Sequence, residues 1–225
     1  ENASWNYANF LIRRKGDRQT AADVLKQGIA ANPDSGRLMV GYAEEMILAR
    51  RPDDALAALN TAREKGANQE QVEVDHAYAL QLSVAPPIDC IAAYRTALSL
   101  RPNDASLQLN LAQVLYLQGD VEQASSLLRA SLRGELNPSA RLEAQLYLLC
   151  YCDVSPHFVA SVTRALLTDG GRLQWNVQAN VEQVRSRDPN LALLASEFVA
   201  CMETGDDRDL DRAIEDYERA GQERA

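Results

Sequence analysis

One recurrence constrains this chain more than any other feature. The stretches YANFLIRRKGD (residues 7–17) and NLAQVLYLQGD (residues 110–120) end alike, and their Gly-Asp pairs, Gly16-Asp17 and Gly119-Asp120, lie 103 residues apart. That distance is three periods of 34 plus one residue. Pro33 and Pro102, each closing an apolar run, are 69 apart, two such periods plus one residue. Two independent marks therefore return one period and the same single insertion.

Each period splits into two amphipathic segments with apolar and small residues at helical spacing. Unit one carries Trp5, Ala8, Asn9 and Ile12, then Ala21, Leu25 and Gly28; unit two carries Met39, Tyr42, Ala43 and Met46, then Ala55, Leu59 and Ala62. Unit three offers Val74, Ala77 and Tyr78, then Cys90, Tyr94 and Ala97, and unit four Leu111, Ala112 and Leu115, then Ala124, Leu128 and Ser131. The turns agree. Gly16 and Gly119 suit the left-handed position that ends a helix, and Pro52, Pro86 and Pro87 suit a first helical turn, where a missing N–H costs little. Ala and Leu dominate, and strand-like runs are hard to find, so the chain is expected to be all-α.

These residues resemble the tetratricopeptide repeat, whose helix pairs recur every 34 residues with a Trp, Leu, Gly, Tyr stripe, then Ala, Phe, Ala, then Pro. Ala105 to about Gly134 resembles it most closely. Unit one has Asn9 at the small glycine, unit two has Ala67 in place of the closing proline, and unit three puts Cys90 where alanine is usual. The stretch GYAEEM (41–46) is also similar to half-a-TPR repeats of RNA-processing scaffolds, but the acidic charge and the 34-residue period favour the commoner family. The resemblance implies a right-handed α-solenoid of stacked antiparallel helix pairs. Residues 1–136 are expected to form four pairs. Residues 137–225, continuous with them, are expected to form a degenerate fifth pair (helices near 139–151 and 156–168, packed through Phe158, Val162 and Ala165), an unpaired helix near 172–187 carrying Trp175, and a capping pair whose last helix presents Ala213, Tyr217 and Ala220.

One hairpin of short helices has nothing to bury its stripe against, so stacking supplies the stability and a repeated rotation leaves the first helices lining a concave surface. In the assigned register Asn6, Phe10 and Arg13 point into it from unit one, Val40, Glu44 and Ile47 from unit two, Asp75, Ala79 and Leu82 from unit three, and Leu109, Gln113 and Tyr116 from unit four. Arg37 and His76 reach its rim. The mixed lining suits a peptide or helix held by apolar anchors and a few hydrogen bonds. Family members that grip acidic chaperone tails use lysines and asparagines there. Here only Asn6 and Asn110 resemble that clamp, and the chain has three lysines in all, Lys15, Lys26 and Lys65, which argues against such a ligand.

Other functions lose ground on composition and motif. The formal charge is −9, and residues 203–225 hold nine acids against four arginines. That distribution repels a nucleic-acid backbone and otherwise reads as a solvated end face. No run is long and apolar enough to span a membrane. The two histidines, His76 and His157, stand apart, and no phosphate loop, His-Glu-x-x-His or Gly-x-Ser-x-Gly occurs, so neither catalysis nor a cofactor is expected. Cys150 and Cys152, two apart on a helix, point to opposite sides and do not suit one metal ion. With Cys90 and Cys201 they read as buried free thiols. Trp5 and Trp175 read as packing residues.

The sequence thus points to a non-catalytic interaction scaffold for a protein or peptide partner. The arginine-over-lysine, alanine-rich composition suits a bacterial protein, cytoplasmic or periplasmic. The start at Glu1 suggests either a mature protein that has lost its leader or a segment of something longer, of which a secretion or exopolysaccharide-export protein is one version. The alternative is a targeting arm of a multidomain enzyme such as a glycosyltransferase. Self-association stays open.

Overall fold

The structure, a computed structural model, describes residues 1–223. Among these, every regular element is helical. The chain forms two compact units, Glu1–Pro102 and Asn103–Ala225.

In the first unit α1 (Asn2–Phe10), prolonged by a π-helical turn at Leu11–Lys15, pairs with α2 (Arg18–Ala31). Then α3 (Gly36–Leu48) pairs with α4 (Pro52–Glu64), and α5 (Gln69–Leu82) with α6 (Pro87–Leu100). Each pair packs on the next through its second helix, α2 on α3 and α4 on α5, while α3 also runs beside α5. In the second unit α7 (Ala105–Leu117) pairs with α8 (Val121–Arg133) and α9 (Pro138–Tyr151) with α10 (Pro156–Thr168); α11 (Gln178–Arg185) follows, then α12 (Pro189–Thr204) with α13 (Leu210–Gln222).

The period is visible in the backbone. The residue with a left-handed backbone between paired helices is Gly16, then Arg50, Val84 and Gly119, at spacings of 34, 34 and 35. The extra residue therefore falls between Val84 and Gly119, and only two of the four turns carry the glycine that would mark them in the sequence. Helix starts repeat a second device, a side-chain oxygen accepting from a backbone N–H two or three residues on. Asp17 accepts from Thr20, Ser35 from Leu38, Asn68 from Gln71, Asp104 from Ser106 and Leu107, Asp120 from Gln123, and Asn137 from Ala140.

The second helices bury the expected trios. Ala21, Leu25 and Gly28, Ala55, Leu59 and Ala62, Cys90, Tyr94 and Ala97, and Ala124, Leu128 and Ser131 are all buried. In α5 Val74 and Ala77 are buried as expected, and the partly buried Tyr78 stands edge-on to Tyr94 at 6.1 Å. Three expectations need correction. In α10 the buried trio is Val159, Thr163 and Leu166, one residue later than expected, so Phe158 and Ala165 face solvent. Pro156 at the first turn starts the helix with Phe158 on its outer side, and an aromatic ring does not fit where the other second helices carry small residues. In α13 Leu210 and Ile214 are buried, while Ala213, Tyr217 and Ala220 line an open cleft against α12. Residues 172–177 are also non-helical: Leu173 donates its N–H to the Met202 carbonyl at 3.0 Å, and α11 begins only at Gln178. All four cysteines are free.

Candidate partner-binding surface

The first helices carry every residue expected to meet a partner, and the two units treat them in opposite ways. In the N-terminal unit, Asn6 and Phe10 of α1 and Arg13 of the π-helical turn that prolongs it are exposed, Phe10 at 48%. The Phe10 ring stacks on Tyr7 with centroids 6.4 Å apart, and the Lys15 ammonium lies 5.9 Å from it. On α3 the exposed Arg37 lays its guanidinium over the Trp5 ring, 4.4 Å from its centroid, a cation–π contact that holds both groups at the surface. Val40 lies beneath, nearly buried, and Ile47 is partly buried. Trp5, Arg37, Val40, Glu44, Lys65 and Gln71 line an open cleft of about 450 Å³.

Glu44 lines this cleft, and the buried Asp75 is linked to it through Gln71. The Gln71 side-chain amide donates to Glu44 Oε1 at 3.3 Å and to both oxygens of Asp75, at 3.0 and 3.1 Å. Arg101 orients that amide by donating to its oxygen at 3.0 Å. Burial pushes the Asp75 carboxyl up to about 7; the Gln71 hydrogen bond and Arg101 pull it down, and the charge of Glu44 adds to the rise. Glu44 is raised in the same direction, by burial and then by Glu45. His76, expected at the rim, is half-buried beside the Arg63–Glu73 ion pair that joins α4 to α5, and burial with the nearby Arg63 charge lowers its pKa. Ala79 is buried and Leu82 partly so.

In the C-terminal unit the expected lining is corrected. Leu109, Gln113 and Tyr116 are buried, Tyr116 at 0% exposure, because this chain supplies its own cover. Helix α11 packs against α7, α9 and α12, with Val177, Val181 and Val184 buried. Its Gln183 donates from Nε2 to the Tyr116 carbonyl at 2.8 Å and accepts from the Tyr151 hydroxyl at 2.8 Å. The Tyr151 ring stacks on Tyr116 at 3.9 Å, and the Tyr116 hydroxyl meets Ser125 Oγ at 2.9 Å. Nearby, the wholly buried Glu143 accepts from the Tyr147 hydroxyl at 2.7 Å, and burial lifts its carboxyl to about 7. The valines at 177, 181 and 184 have helical spacing. That was the available sign that this segment buries a face, but nothing in the spacing says which face it covers.

Among the described residues no three His, Cys, Asp or Glu side chains gather as metal ligands, and no helix is long and apolar enough to cross a membrane. Helix pairs of near-equal length, packed in succession within each unit and repeating turn, cap and buried trio, define a helical-repeat protein. The chain belongs to the tetratricopeptide repeat family: the family model described as Tetratricopeptide repeat matches residues 13–74 and 89–146, together just over half of the sequence. No curated protein was found to match it. Repeats of this family build protein–protein interaction scaffolds, generally without catalysis of their own.

Proposed function

We propose that this chain holds a peptide or helix of one protein partner on the first-helix face of its N-terminal unit, as a non-catalytic module of a larger bacterial assembly such as a secretion or exopolysaccharide-export machine. One observation carries the reading: Phe10, Arg13, Arg37 and the cleft at Trp5 stand open, whereas the corresponding face of the C-terminal unit is filled by α11. An exposed aromatic pair beside guanidinium groups is the kind of surface that anchors a partner, since Phe, Tyr, Trp and Arg are enriched where interfaces bind most strongly. The test is a photo-crosslinking residue placed at Phe10 or Arg37, with the exposed Arg129 of α8 as control. A discrete protein adduct from the first two positions and none from the third supports the reading; equal adducts at all three overturn it.

A further inference from the structure

Among the described residues no helix pair precedes α1 and none follows α13, so each leaves one side without a neighbour. We propose that the two sides serve one another: α1 of a second copy docks in the groove between α12 and α13, and the chain associates head to tail with itself. This goes beyond the partner reading and does not rest on it.

Packing inside the first unit shows what such a groove receives. A pair's first helix packs on the second helix of the pair before it, α3 on α2 and α5 on α4, and Gly41 of α3 also faces Trp5 of α1. The direction is fixed as well. Glu45, near the end of α3, pairs with Arg18 at the start of α2 at 3.0 Å, while a Cβ on Gly28, near the end of α2, would lie 3.2 Å from Leu38 near the start of α3. The incoming helix therefore runs antiparallel to the second helix that it covers. At α13 the stripe that would be covered lies open. Ala213, Tyr217 and Ala220, with Leu193 of α12 at 59% exposure, line a groove of about 450 Å³, where a terminal cap would present polar groups. At α1 the complementary side is bare, since Tyr7, one 34-residue period before Gly41, is 51% exposed.

Charge selects the occupant. The groove carries Glu197, Asp209 and Asp216 against Arg212. Arg212 and Arg219 both approach Asp216, at 3.9 and 3.4 Å, whereas among the described residues Glu197 and Asp209 enter no ion pair, the Arg208 beside Asp209 being held by Asp206. The turn that prolongs α1 is basic: Arg13, Arg14 and Lys15 are exposed, and neither arginine enters an ion pair among the described residues. Asp17, which follows them, is taken up in capping α2 through the Thr20 N–H. Antiparallel docking lays this basic end over the start of α13, where Asp209 stands at the N-cap. Opposite charges at the two ends of one contact favour encounter and fix its register. The contact is heterologous, its two halves being different surfaces.

The test is sedimentation equilibrium of the purified chain and of two variants, each with helicity checked. Tyr7→Glu/Arg14→Glu spoils the docking helix at exposed positions, and Ala213→Arg blocks the groove at a part-exposed one. The expected result is a parent whose mass rises with concentration and falls with added salt, and a loss of self-affinity of roughly tenfold or more in each variant. An equimolar mixture of the two variants should regain association, because each supplies the half that the other lacks. A parent that stays monomeric overturns the proposal and leaves the groove to a different protein or a different segment. Association that neither variant weakens, or that mixing does not restore, overturns it by assigning another contact.

Discussion

A Cβ placed on Gly41 would lie 2.5 Å from the Cζ3 carbon of Trp5, closer than packed atoms come, so the indole of α1 occupies the space that a side chain on α3 would fill. The same ring carries Arg37 on its outer side and closes one end of the cleft. Gly41→Ala gains helix propensity of about 1 kcal/mol but forces the ring out of its seat, at a cost of about 1–3 kcal/mol. The expected outcome is a net loss of stability together with a shift in Trp5 emission, read in a Trp175→Phe background by denaturant unfolding. An unchanged emission maximum would show that the ring does not depend on this glycine.

Val84 adopts a φ of +58° while 90% exposed. A β-branched residue pays for that backbone without burying anything in return, and the left-handed conformation costs roughly 1–2 kcal/mol for an L-residue. Val84→Gly should raise stability by about 1 kcal/mol, measured as the midpoint of urea unfolding at constant slope. A destabilised variant would mean that the turn is not strained.

Glu143 makes the stability depend on pH. Its folded carboxyl titrates at about 7 against 4.5 ordinarily, because burial outweighs the hydrogen bond from Tyr147. Between those values the folded chain keeps a proton that the unfolded chain has released, so stability falls as pH climbs through the window and is level above it. Gln at this position still accepts from Tyr147 and cannot ionise. Glu143→Gln should therefore match the parent below pH 4.5 and exceed it by on the order of 2 kcal/mol above pH 7. The slope that persists belongs largely to Asp75, also raised to about 7. Parallel stability profiles for parent and variant would remove Glu143 as the cause.

Gln183 ties α11 to its seat by donating to the Tyr116 carbonyl and accepting from Tyr151. Gln183→Ala should cost about 1–2 kcal/mol and speed amide exchange in α11 more than in α7 or α9. Exchange that stays slow there would assign the seat to Val177, Val181 and Val184 alone.

The fold was legible where one rule governs many residues. The 34-residue period, the helix pairs and the buried trios of the first four units follow from spacing, because each repeat solves the same packing problem. Reading failed where an individual contact decides. Val84 and Arg50 occupy left-handed turns that composition does not announce, and the α10 register slips by one because Phe158 is too large for the small-residue position. Of the expected partner residues, Asn6, Phe10, Arg13 and Arg37 are at the surface since little else in the N-terminal unit packs over α1. Leu109, Gln113 and Tyr116 have the same helical address but are buried; at Tyr116 the cover comes from Tyr151 of α9, stacked on its ring, and from Gln183 of α11, 67 residues away in sequence, on its carbonyl. Long-range cover of that kind leaves no periodic trace. Gln71, which links Glu44 to Asp75 across two helices, was missed for the same reason.

The account turns on one face being open and its counterpart being closed by the chain itself. Hydrogen exchange on the chain alone and saturated with a partner or selected peptide tests this directly. Slowed exchange confined to α1, α3 and α5, with α11 unchanged, is the predicted result. Slowed exchange in α7 and α9 with α11 released to solvent would contradict it, showing that the partner takes the place α11 holds.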